Sequence, residues 1–580
     1  MPALYGAMSP RLRRRLGLAL ALMLGGALAE LVTIGAVLPF LALLADPGRA
    51  GEIPGFGPLL RGRAPADLLV PATMLFVGAA LVAAAARIAI LRVTQGFVLA
   101  LGHEVGTAIF GRMLRQPYSL YVSRNSSELV ASVEKVQLLI SMVLMPLMQG
   151  ITATIIAVAI LSLLVAIDPG TAAAAAAMVA LLYMLISLAT RRLLRRNSGV
   201  VADMATARIK AVQEGLAGIR DILLEQSQPV FEAHYRAVDA AYRRAQATQI
   251  FVSTAPRFVV EAAGIILVAL VALYMSGRPG GIVAAIPVLG ALALGAQRLL
   301  PLVQNAYFGW AQLSGNVQVL RDVAELLQAP VVAASGRIPR GEVVPFQAEI
   351  VFDHVGFRYP GRGATLHDVS LVIRKGARIG IVGRTGSGKS SFLDLLMGLL
   401  EPSDGEIRVD GRRLEGAARD HWQAQIAHVP QIIHLADSSI AANIAFGEAA
   451  GDIDLDRVRD AARRAELDDF ISELPEGYDT LVGERGVRLS GGQRQRVALA
   501  RALYKAATVL ILDEATTALD PQTEKAVIDG ISGLGLEMTL LIVAHRLSAL
   551  TVCDVIVRFE DGRIAEVTSY DEAARAASAA

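Results

Sequence analysis

Residues 383–390 read Gly383-Arg384-Thr385-Gly386-Ser387-Gly388-Lys389-Ser390, the spacing G-x-x-x-x-G-K-[ST]. An apolar strand, Ile379–Val382, precedes them, and a helix is expected from Ser391 to Leu400. That order matters. Glycines let backbone N–H groups converge on phosphate oxygens, and the helix start adds a favourable dipole. Lys389 would neutralise the β- and γ-phosphates, and Ser390 would bind Mg²⁺. A second strand, Val509–Leu512, ends in Asp513-Glu514. A carboxylate pair at a strand end carries no chemistry alone. Beside a phosphate loop, Asp513 would hold Mg²⁺ directly or through water, and Glu514 would polarise an attacking water. A third run, Leu489-Ser490-Gly491-Gly492-Gln493, offers a hydroxyl and bare N–H groups at a helix start, which is another anion cradle.

These residues occupy the less apolar half of an apolar chain. Of 580 residues, 54% are hydrophobic and 19% charged, with mean hydropathy +0.50. That excludes a run of ordinary soluble domains, disorder and a disulfide scaffold. Fifty-five basic residues against 53 acidic exclude an electrostatic nucleic-acid binder. The single cysteine, Cys553, has no intrachain partner, in keeping with a reducing compartment.

About 20 apolar residues cross a bilayer. Runs of that kind predict six spans in residues 1–330, at about 16–45, 68–100, 136–167, 169–190, 256–277 and 279–303. The first run could pass for a signal peptide after Arg11, Arg13, Arg14 and Arg15, but it continues past the small-residue site at Ala27–Ala29 to Ala45. Arginines at the N-terminus and at 191, 192, 195 and 196 place those ends in the cytoplasm. Residues 46–67 then lie outside. Loops of about 100–137 and 191–255 are expected as helical extensions of the spans into the cytoplasm, with tips near Pro117-Tyr118 and Gly215–Asp221. The alanine tract 172–177 reads as close helix packing. A Pro- and Gly-punctuated linker, 331–347, leads to a soluble α/β domain at 348–580.

Arg87, Arg257 and Arg298 fall at one depth, near the inner leaflet. Three guanidinium groups around a cavity would suit a phosphate or pyrophosphate head. They could equally snorkel to lipid phosphates, and Glu261 could neutralise Arg257 one turn away.

The run Leu489–Gln493 resembles the signature of the ATP-binding cassette (ABC) superfamily, and residues 348–570 carry that family's other markers in order. The resemblance implies that Tyr359 stacks on adenine and that Gln431, in the Q-loop, joins Ser390 and Asp513 around Mg²⁺. It makes Asp520 the D-loop residue and His545 the switch histidine beside the catalytic Glu514. Ser490, Gly491, Gly492 and Gln493 would complete the ATP site of the opposite subunit. One cassette and six spans per chain then imply a homodimer with two composite sites. The chain resembles an ABC exporter half-transporter: an α-helical polytopic membrane domain fused to an α/β P-loop ATPase.

The stretches Gln116-Pro117-Tyr118, Asn125–Leu129, Ala255–Phe258 with Glu261, and Gln297–Pro301 are similar to bacterial lipid-linked oligosaccharide flippases. That likeness assigns Arg87, Arg257 and Arg298 to recognition of a lipid pyrophosphate. The implied activity is ATP-driven flipping of a polyprenyl-pyrophosphate oligosaccharide across the bacterial inner membrane, with membrane lipids as partners and no nucleic acid. That family also has a short outer helix between spans one and two, for which Pro54–Arg61 is the candidate. Export of another lipid, a drug or a small peptide is the alternative, and an ATP-gated channel is the alternative of another class. Aromatic content of 5% disfavours a drug pocket.

Overall fold

The computed structural model describes residues 2–45, 65–123, 125–167, 169–276, 281–331, 338, 343–361, 363–515, 522, 524, 537–544 and 547–579. The proposed outer helix 54–61, Asp520 and His545 lie outside the described residues. The chain forms two compact units, one of residues 1–116 and 124–331, the other of residues 117–123 and 332–580.

Among the described residues the first unit is helical: α1 Pro2–Ala7, α2 Pro10–Ala45, α3 Pro65–Met113, α5 Ser126–Leu138, α6 Met145–Ile167, α7 Pro169–Ala217, α8 Ile219–Leu224, α9 Gln228–Thr254, α10 Pro256–Ser276, α11 Gly281–Gly315 and α12 Val317–Gln328. Helix α4, Tyr118–Ser123, groups with the second unit. Helices α3 and α7 each run 49 residues, about 74 Å at 1.5 Å per residue. Each is far longer than a bilayer needs, as continuous helical extensions require. They stop where the sequence offers breakers. Pro117 follows α3, and Gly218 sits between α7 and α8.

Among the described residues five helices are long and apolar enough to cross a membrane: Pro10–Thr33, Val70–Met113, Ser127–Ala166, Ala172–Ala217 and Gln228–Ile266. The sixth expected span falls in α11, whose side chains 281–296 lie outside the description. Two prolines shape the bundle. Pro146 has no N–H to donate, and the helix widens to a π turn over Leu139–Leu144 just before it. Pro256 ends α9 at Thr254 and restarts the chain as α10.

Helix α11 packs along α6, α2 along α3, and α9 along α7. The close approach is at Gly150 and Gly309. A Cβ on Gly309 would lie 2.7 Å from the Pro146 carbonyl and 3.2 Å from the Gly150 Cα. In the alanine tract Ala172 is buried, whereas Ala173, Ala174 and Ala177 are exposed among the described residues.

Among its described residues the second unit holds two sheets. One is antiparallel, in the order β2 (Ala364–Arg374), β1 (Glu349–Arg358), β4 (Asp404–Val409), β5 (Arg412–Arg413). The other runs β10 (Arg563–Ser569), β9 (Val555–Glu560), β3 (Arg378–Gly383), β8 (Thr539–Val543), β7 (Val509–Asp513), β6 (Ile426–Val429). Strands β9, β3, β8, β7 and β6 are parallel. Alternate residues enter opposite cores: Ile379, Ile381, Val509 and Ile511 on one face, Leu510, Leu512, Leu540 and Ile542 on the other. That two-sided burial explains why these strands read as unbroken apolar runs. It also brings the ends of β3 and β7 to the same carboxyl edge, where such sheets bind ligands.

Candidate functional site

At that edge the loop after β3 leads into helix α13, Lys389–Leu396. Gly388 caps the helix with φ +101°. A side chain there would put its Cβ 2.6 Å from Leu366 Cδ2 and 3.3 Å from the Thr365 carbonyl. Gly383 leaves no more room, with the Phe559 carbonyl 2.4 Å from its notional Cβ. Arg384, Thr385 and Gly386 form the exposed rim.

The residues fit a polyphosphate. Ser387 is buried, yet its Oγ has no hydrogen-bond partner. Buried hydroxyls are rarely left so. The Lys389 ammonium turns back onto its own loop, donating to the carbonyls of Gly383 (2.7 Å) and Arg384 (3.0 Å). Burial holds that ammonium below its ordinary value, and Glu514 and Asp513 oppose the shift. Ser390 is exposed at the rim. Ser391 lies under Tyr359, their hydroxyls 3.3 Å apart, and the Tyr359 ring stands edge-on to Phe357 at 4.8 Å. We expect Gly388→Ala to cost about 1–3 kcal/mol in fold stability and to weaken ATP binding at least tenfold, read by thermal melting and nucleotide titration.

Asp513 ends β7 with its carboxyl raised, by burial first and the Glu514 charge second, against Lys389. Glu514 follows with φ +51°. A non-glycine residue in that region is strained and such strain gathers at functional sites. Gln431, just past β6, donates its Nε2 proton to Glu514 Oε2 at 2.6 Å. The structure thus brings Lys389, Asp513, Glu514 and Gln431 together. Among the described residues no trio of His, Cys, Asp or Glu forms a metal cage. A hydroxyl, a carboxylate, an amide and phosphate oxygens suit Mg²⁺ better than such a cage would.

Asp394, one turn along α13, gave no sequence signal. Burial, with Asp513 second, lifts its carboxyl to about 6. It binds its proton more tightly folded than unfolded. The resulting stability is full below about pH 4 and is lost as pH rises through about 6. Asp394→Asn should flatten that fall, by about 1–2 kcal/mol after allowance for partial exposure. Nucleotide-free melting curves at pH 5 and 7.5 check it. Tyr118 of α4 is exposed, and its phenol is raised, by partial burial first and by Asp394 and Tyr359 after it.

The second cradle is a helix N-terminus. Ser490 caps α14, Gly491–Lys505, through a capping box: Gln493 N–H donates to Ser490 Oγ at 3.2 Å, and Ser490 N–H to Gln493 Oε1 at 2.8 Å. Ser490 accepts in that box, so its O–H proton is free to donate. The Gly491 and Gly492 amides start the helix beside it.

Of the three membrane arginines the structure joins two. Arg87 donates to Glu30 Oε2 from Nη2 (2.6 Å) and Nε (3.2 Å), and Arg298 Nη1 donates to Glu30 Oε1 (3.0 Å). Three helices, α2, α3 and α11, meet on this one carboxylate. Arg257 instead pairs with Glu261 on its own helix at 2.6 Å. Each of the three thus has a carboxylate partner, and for Arg257 it is the Glu261 that helical spacing offered. Glu30 was visible only as the lone charge in an apolar run.

Residues 366–517 match the family model "ABC transporter", and residues 51–278 match "ABC transporter transmembrane region". An ATP-dependent lipid A-core flippase of Alkalilimnicola ehrlichii is 34% identical over 391 residues, 66% of this chain and 64% of that protein. One from Methylococcus capsulatus is 45% identical over 225 residues, 39% of this chain and 37% of its own. The matches thus span less than two thirds of these relatives' length. A solved bacterial Atm1-family ABC exporter with ATP bound superposes with TM-score 0.78 at 24% identity, covering 98% of this chain and 96% of that one. That likeness speaks for the fold. Both halves of the chain belong to the ABC transporter family, as a transmembrane region joined to an ABC transporter domain in one polypeptide.

Proposed function

We propose that the chain, as a homodimer in the bacterial inner membrane, hydrolyses ATP to move a phosphate-bearing lipid from the inner to the outer leaflet. The finer reading is a polyprenyl-pyrophosphate oligosaccharide. The observation that carries the cargo is the pair Arg87 and Arg298 gathered on one buried carboxylate within the apolar helices. A pyrophosphate and its sugars cannot cross hydrocarbon alone, because charges and hydroxyls would lose their partners. Guanidinium groups in a polar groove supply them, and bidentate bonding suits phosphate oxygens.

In the nucleotide site Lys389 and the loop amides hold the phosphates. Mg²⁺, when bound by Ser390, Asp513 and Gln431, offsets phosphate charge. Glu514 takes the proton of the attacking water, with Gln431 fixing its carboxylate. His545 and Asp520 complete the assignment, and Tyr359 takes the base. Ser490, Gly491, Gly492 and Gln493 close over the partner's nucleotide. Closure needs only that ATP binds the closed pair more tightly than the open one.

The names of the relatives favour a second cargo, lipid A-core, which is also a lipid. An ATPase assay in nanodiscs, with polyprenyl-pyrophosphate glycan, lipid A-core, phosphatidylglycerol and a hydrophobic drug side by side, separates the readings. Stimulation by the glycan alone supports the finer one. Stimulation by the drug alone rejects both.

A further inference from the structure

Glu30 is the only charge between residues 16 and 45, and its side chain is 7% exposed, against 52% for Arg87 and 49% for Arg298. The cluster has two unlike sides. The carboxylate is sunk among α2, α3 and α11. The arginine side chains are about half exposed, and among the described residues Arg298 gives Glu30 a single bond, from Nη1, which leaves it donors to spare. Two cations on one anion leave a net positive charge. Each carboxylate oxygen serves a different arginine, as two oxygens of one phosphate would.

We propose that Glu30 is an internal stand-in for the lipid phosphate and thereby a selectivity residue. With no cargo bound, it keeps two like charges together and stops the arginines from snorkelling to the phosphates of the surrounding leaflet. An incoming headgroup must take guanidinium donors over from it. A phosphodiester such as phosphatidylglycerol brings one negative charge, which only equals the carboxylate, so the exchange gains little. A pyrophosphate brings more charge and more oxygens, and wins. Binding of bulk phospholipid is thus opposed by a competing group already in place. The inference rests on the proposed phosphate-bearing cargo.

The test measures binding of polyprenyl pyrophosphate and of phosphatidylglycerol to the full chain in phosphatidylcholine nanodiscs. The wild-type chain should prefer polyprenyl pyrophosphate by about tenfold or more. Glu30→Gln, close in shape but uncharged, should bind phosphatidylglycerol about tenfold more tightly, and the preference should collapse. Glu30→Asp keeps the charge but is too short to serve both arginines, and it should fall between the two. If Glu30→Gln or Glu30→Asp keeps the wild-type preference, Glu30 is not a selectivity residue. A wild-type chain that binds both lipids equally overturns the inference without any variant. A wild-type chain that binds neither rejects the proposed cargo instead.

Discussion

Glu514→Gln should lower ATP turnover by about 10²–10⁴-fold, the range a positioned general base contributes, while ATP binding persists. The amide keeps the size of the side chain and can still accept from Gln431, but it cannot take a proton from water. The two functions separate by melting. A variant that binds without hydrolysing stays stabilised by ATP, by about 2.7 kcal/mol at a hundredfold excess over Kd. Lys389→Ala should lose both turnover and that stabilisation, because its ammonium supplies the phosphate contact. Phosphate release and ATP-dependent melting, measured on the same preparations, give the comparison. Full turnover in Glu514→Gln would move the base elsewhere.

Arg87→Ala and Arg298→Ala should each lower headgroup affinity by about 10–100-fold. A hydrogen bond to a charged group is worth about 1.5–3 kcal/mol. The readout is lipid translocation together with the ratio of lipid-stimulated to basal ATP turnover, which should fall toward one. Each single variant leaves Glu30 with one guanidinium. The double variant leaves a buried carboxylate with none, a loss of about 3–5 kcal/mol, so it should accumulate poorly. Adding Glu30→Gln should restore its accumulation, by removing the uncompensated charge, and should leave transport lost. Recovery of accumulation, read by size exclusion, separates the folding effect from the transport effect.

The nucleotide site was legible because its parts are local. The glycines at 383, 386 and 388 and the lysine beside them form one turn. The strand before Asp513 announces itself by four apolar residues, and the Ser490–Gln493 capping box spans one helical turn. The long helices were legible for a similar reason, since their breakers are single residues such as Pro117 and Pro256. The missed features depend on residues far apart in sequence. Glu30 meets Arg87 across 57 positions and Arg298 across 268, and no periodicity encodes that meeting. Gly150 and Gly309 read as ordinary glycines until α6 and α11 cross. The raised carboxyl of Asp394 comes from burial beside Asp513, a neighbour supplied by the sheet. Arg257 was the instructive case: its pairing with Glu261 followed from helical spacing, and its grouping with the other arginines followed from depth and from the flippase likeness. The pairing is what the structure contains.

The most direct measurement reconstitutes the full chain in phosphatidylcholine vesicles with polyprenyl-pyrophosphate oligosaccharide in one leaflet and follows its appearance in the other. The proposed transport should require ATP, stop in Glu514→Gln and fall at least tenfold in Arg298→Ala. Steady ATP hydrolysis by the wild-type chain with no transfer of the pyrophosphate lipid would contradict it.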